Sequence, residues 1–140
     1  MLRLNLPRYF MKHLKGIGLA VLALLVSGSL FAHHGTAGSY DHNKVVTVKG
    51  VVKEFRWRNP HSAIFLMGKD ASGAEVTYAI EMSAPASALK RGYTRNTMKP
   101  GDEVVMQMYP SFTNPVNGVG VTEASIIING KEFKPLGGAE

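Results

Sequence analysis

The sequence predicts an all-β domain with one short helix, a small OB-like five-stranded barrel. Three observations carry this. Runs rich in valine and aromatic residues recur at strand length from Lys44 onward, separated by turn-forming residues. The first run is long, contains Gly50 and switches the parity of its apolar positions, as a strand bending around a small barrel must. The order of elements is three strands, a short helix and two strands, which matches the OB barrel. A small β-sandwich made from the same strands is the alternative.

The first strand is expected over Lys44 to Trp57. Val46 and Val48 share one face, whereas Phe55 and Trp57 fall on the opposite parity, so a bulge centred on Gly50 is expected between them. Asn59-Pro60 ends the run. Ala63 to Lys69 reads as the second strand, Asp70 to Gly73 as a hairpin turn, and Glu75 to Met82 as the third strand. Ser83 suits a helix cap and Pro85 a first turn. Ala86, Ala88 and Leu89 favour helix up to Arg91, and Gly92 ends it. Lys99 to Asp102 is a turn into strand four, Glu103 to Tyr109. Pro110 to Gly120 is expected as a loop and Val121 to Ile128 as strand five. Asn129-Gly130 signals a type I′ hairpin returning through Lys131 to Phe133.

The domain plan follows. Residues 1–32 read as a signal peptide: Arg3, Arg8, Lys12 and Lys15 precede a fifteen-residue uncharged run, and small Ala32 stands where a signal peptidase would cut. The run is shorter than the roughly 20 apolar residues of a membrane span. Met11-Lys-His-Leu-Lys is a compact signal opening by itself, so Met11 is an alternative start. Residues 33–43 form an N-terminal arm, 44–134 the barrel, and 135–140 a disordered tail. The expected location is periplasmic or secreted, with no stable membrane anchor after cleavage.

The formal charge is +6, from 16 Lys+Arg against 10 Asp+Glu. Cleavage after Ala32 would leave 108 of the 140 residues and remove four of the 16 basic ones, so the net charge falls to +2. Basicity therefore names no nucleic acid partner. Cysteine is absent, which excludes a disulfide framework, a thiol nucleophile and thiolate metal ligands.

Histidine is the available metal ligand, and its distribution is uneven. His33, His34, His42 and His61 all lie in the first 29 residues after Ala32. An N-terminal His33 would offer an amine and an imidazole together, and a further imidazole would build the planar nitrogen set that copper(II) favours. His61 follows Asn59-Pro60, where proline restricts the backbone, so it is a loop-borne imidazole on a rigid frame. The expected metal ligands are His33, His34 and His61, binding one copper ion. His42 reads as a solvated turn residue. Met106 and Met108 share a strand face with Val104, which points to core packing over copper(I) ligation.

Other chemistry is declined. Phe55-Arg56-Trp57-Arg58 interleaves aromatics with cations, as single-strand nucleic acid binders do, but parity puts the aromatics inward if the arginines face out. Glu81 is expected to pair with Arg91 or Arg95, with orientation of His61 or a role as base as alternatives. No nucleophile elbow, phosphate-cradling loop or zinc-helix motif is present, so no catalytic residue is assigned.

Several segments form a pattern in order: His33-His34 after the leader, Val46 to Trp57, Asn59-Pro60-His61, Ile80-Glu81-Met82, Arg91 to Arg95, and Met98 to Asp102. The chain thereby resembles a family of small exported proteobacterial proteins classed as a domain of unknown function. The resemblance runs from His33 to about Ile128. It departs where members continue His-His-Ser-Phe, since Gly35 and Thr36 stand here, and where tryptophan often replaces Tyr78 and Tyr93. It implies an exported β-barrel and draws attention to His33, His34, Asn59, His61, Glu81 and Arg91 without saying what they do. Asn59, Glu81 and Arg91 are expected either to support the histidines from behind or to serve the structure. The combined expectation is a periplasmic copper-binding barrel without turnover, exchanging metal with a donor or acceptor protein. The alternative is a metal-free envelope adaptor holding a protein, peptide or glycan on its barrel face and its 110–120 loop.

Overall fold

A computed structural model describes residues 38–136. The expected signal peptide, His33, His34, residues 35–37 and residues 137–140 lie outside the described residues. The elements run β1 (Val46–Arg56), β2 (Ala63–Lys69), β3 (Glu75–Glu81), α1 (Pro85–Lys90), β4 (Glu103–Pro110), β5 (Asn117–Gly120), β6 (Ile126–Ile128) and β7 (Lys131–Phe133). The strands pair in the order β1-β2-β3-β5-β4, and β4 pairs back onto β1, so five strands close into a barrel. The β3–β5 pairing is parallel. β6 and β7 extend the sheet beyond β4. The architecture is the expected OB-like barrel rather than a sandwich.

β1 bends as its parity switch demands, but not at the expected residue. The register against β2 slips between Val52 and Glu54, leaving Lys53 as the extra residue. Val48 and Val52 therefore fill the core before the slip, and Phe55 and Trp57 pack against it afterwards. Gly50 has a different task. It pairs with Gly68, and a Cβ on it would lie 2.6 Å from the Met67 carbonyl, so β1 and β2 approach more closely there than any side chain permits.

The second correction concerns strand five. Asn117–Gly120, expected as loop, is β5, and the residues from Val121 to Ser125 form a turn leading to a separate β6. Of the two glycines read as loop punctuation, Gly118 is what closure requires: a Cβ on it would sit 2.6 Å from Met108 Sδ and 2.8 Å from the Tyr109 carbonyl. The turns agree better with expectation. Gly73 has φ of 85°, and Asn129 and Gly130 have φ of 50° and 78°, as a type I′ turn needs. Met106 and Met108 are buried in the core beside Val104.

One end of the barrel is closed by α1 and the chain after β7. Pro85 opens the helix as anticipated, but the cap is Ala84 without a side-chain bond, and Ser83 does not cap. Its hydroxyl donates instead to the Leu136 carbonyl at 2.7 Å. Tyr93 Oη donates to the Lys134 carbonyl at 2.6 Å and Arg91 Nη1 to that of Pro135 at 3.2 Å. Three consecutive carbonyls are thus held by three side chains flanking α1, and Leu136 is 1% exposed. Residues 135 and 136, expected in the tail, belong to the packed domain. No helix among the described residues is long and apolar enough to cross a membrane.

Candidate functional site

The ends of β1, β2 and β3 meet the β1–β2 loop around a cleft of about 340 Å³. Local sequence explains its walls. After the Lys53 slip, Phe55 and Trp57 turn toward the core, where their rings meet edge to face at 5.6 Å. Arg56 and Arg58 are thereby sent to the cleft side, as the alternation requires. Arg56 is already engaged: its guanidinium grips Glu54 with two 2.9 Å bonds and lies 4.5 Å above the centre of the Phe65 ring. The Asn59–Pro60 bond that follows is cis, and Asn59, Pro60 and His61 line the cleft.

Across the cleft, β3 ends in Glu81, paired with Ala63 at the start of β2. Its neighbour is Tyr40, from the arm preceding β1. Burial raises the Tyr40 pKa, and the Glu81 carboxylate raises it further by its charge and by accepting a hydrogen bond from the phenol. The arm is fixed by backbone contacts as well. Tyr40 bridges to Ser111, the Asp41 amide donates to the Pro110 carbonyl at 2.8 Å, and the Phe112 amide donates to the Ser39 carbonyl at 3.2 Å. Asn117, the first residue of β5, completes the wall.

The cleft therefore gathers Asn59, His61 and Glu81 from the expected set. Arg91 is elsewhere, holding the Pro135 carbonyl. The expected Glu81 ion pair with Arg91 or Arg95 is not formed: Arg56–Glu54 is the ion pair of the described residues, and Glu81 takes Tyr40 instead. His42 lies outside the cleft with its ring centroid 4.5 Å from that of Tyr109. Among the described residues no three His, Asp or Glu side chains converge as a metal site, so His61 and Glu81 would need donors from elsewhere to hold an ion.

Tyr40, Arg58 and Asn117 are cleft residues that the sequence reading did not single out as candidates. Nothing local marks Tyr40 or Asn117, since their place depends on pairings with residues far along the chain. Arg58 had a signal in the strand alternation.

A family model matches residues 21–120. The chain belongs to DUF6152, a family of unknown function. The DUF6152 match ends on the last residue of β5, so the closed barrel, the cleft and the His33-His34 pair fall within it. β6, β7 and the Lys134 to Leu136 strap follow it. No curated protein and no solved structure matches the chain.

Proposed function

We propose that the protein is exported to the periplasm and binds one metal ion, copper by preference, through His33, His34 and His61, without turnover. The observation that carries this reading is the position of Tyr40 in the same cleft as His61. Tyr40 follows His33 by seven positions, and seven extended residues span at most roughly 25 Å. That length of chain permits the histidine pair to meet His61, and Glu81, which lines the same cleft, would orient an imidazole. An N-terminal His33 would supply amine and imidazole nitrogens, and two further imidazoles would complete a nitrogen-rich set suited to copper(II).

The test is a copper(II) titration of protein processed to begin at His33. One equivalent should bind with a nitrogen-rich EPR signature, and a residue added before His33 should weaken binding. Equal binding by a His33→Ala, His61→Ala double variant would remove the proposal. A metal-free adaptor is the second reading, favoured by Phe112, which stands 63% exposed in the loop beside the arm. Envelope partners retained in the presence of chelator, and lost in Phe112→Ser, would support the adaptor over the metal site.

A further inference from the structure

Several polar side chains of the cleft differ from those around α1 in having unused hydrogen-bonding capacity. Arg58, Asn59 and His61, and the Asn117 side-chain amide, make no hydrogen bond or ion pair among the described residues, although all four border one cavity. A guanidinium offers five donors in a planar fork, and each amide adds two donors and an acceptor. Opposite stands Glu81. A single phenol leaves most of its roughly four acceptor sites available.

We infer that this cleft binds a small amino-acid-type zwitterion, its carboxylate on Arg58 and the two asparagine amides and its ammonium on Glu81. The charge pattern decides the class. A cleft lined by cations alone would suit phosphate or any organic anion, but the Glu81 carboxylate penalises a dianion and rewards a ligand carrying both signs. The planar fork of Arg58 matches a carboxylate in bidentate geometry. Arg56 does not compete for the ligand, since Glu54 and the Phe65 face already hold it. The volume of about 340 Å³ lies at the small end of ligand cavities, which fits a single amino acid or a dipeptide. The inference stands on Arg58, Glu81 and their neighbours and does not require the metal proposed above.

The experiment uses the full chain, expressed with its own leader and freed of metal by chelator. Amide resonances are followed while L-alanine, L-alanyl-L-alanine, acetate, methylamine and inorganic phosphate are added in turn. Saturable shifts centred on Arg58, Asn59 and Glu81 are expected for alanine or the dipeptide, with acetate and methylamine each weaker by about tenfold or more. Whichever zwitterion binds more tightly identifies the source as free amino acid or peptide. Arg58→Gln and Glu81→Gln should each weaken binding by about tenfold or more, and Arg58→Lys should fall between Arg58→Gln and the native protein. Circular dichroism checks folding, and if Arg58→Gln is unfolded, Arg58→Lys and Glu81→Gln decide. Absence of saturable shifts, acetate or phosphate binding as tightly as alanine, or full affinity in Glu81→Gln overturns the inference. Arg58→Gln should keep its copper affinity, and His33→Ala should keep its alanine affinity, so either site can fail without the other.

Discussion

His61 and Ser62 are consecutive residues that line one cleft but differ in burial and bonding. Ser62 is fully buried, and its hydroxyl donates to the Ser83 carbonyl at 2.6 Å. His61 faces the cleft with no such partner among the described residues. The same contrast separates Glu81 from Ser83 two residues later. The segments that enter β2 and leave β3 thus contribute to two regions. One is a sealed base, where the strap over α1 binds its three carbonyls to Ser83, Arg91 and Tyr93. The other is an open cleft whose polar groups face solvent. No buried side-chain polar atom lacks a partner among the described residues. Unspent capacity is therefore concentrated where a ligand could use it, and stability is concentrated where it could not.

The largest effect that would sharpen this contrast is expected at the strap. Leu136→Ala removes a fully buried side chain and should destabilise the fold by about 2–4 kcal/mol, read from urea unfolding. A loss within experimental error would mean the strap is not part of the cooperative core. Ser83→Ala leaves the buried Leu136 carbonyl without its donor and should cost about 1–2 kcal/mol by the same measurement.

A third test uses pH. Burial pushes the Tyr93 phenol up to about 12 from an ordinary 10.0. Between those values the unfolded chain has lost the proton that the native state keeps, so stability should fall as pH rises from about 10 to about 12 and be unaffected below. Tyr93→Phe should flatten part of that decline in a series of urea melts. An identical slope in the variant would assign the alkaline loss to other groups. The smallest effect belongs to the cleft: Asn59→Ala and His61→Ala should each alter stability by less than about 0.5 kcal/mol. A cost comparable to Ser83→Ala would break the contrast, because the rim would then be structural.

The elements were largely legible in the sequence because their causes are local. Period-two alternation marks β2, β3 and β4, and Asn129-Gly130 marks the last hairpin. The parity switch in β1 was visible, but its site was not. A glycine in a strand signals either a bulge or a close approach, and only the pairing with Gly68 shows that Gly50 serves approach while Lys53 takes the slip. The site was half legible. Asn59, His61 and Glu81 are marked by residue type and position, whereas Glu81 meets Tyr40 where an arginine was expected, and Arg91 serves a structural role at the Pro135 carbonyl away from the cleft.

By itself the sequence determined the alternation of faces, the turns and the chemistry on offer: histidine and carboxylate, no thiol. Tertiary structure decided which groups meet. Closing β5 against β3 and β4 brings Asn117 to the cleft, docking the arm on Ser111 brings Tyr40 to Glu81, and folding the strap over α1 buries Leu136. Each of these joins residues distant along the chain. Local propensity carries no information about such pairs, because their energy appears only when the barrel closes.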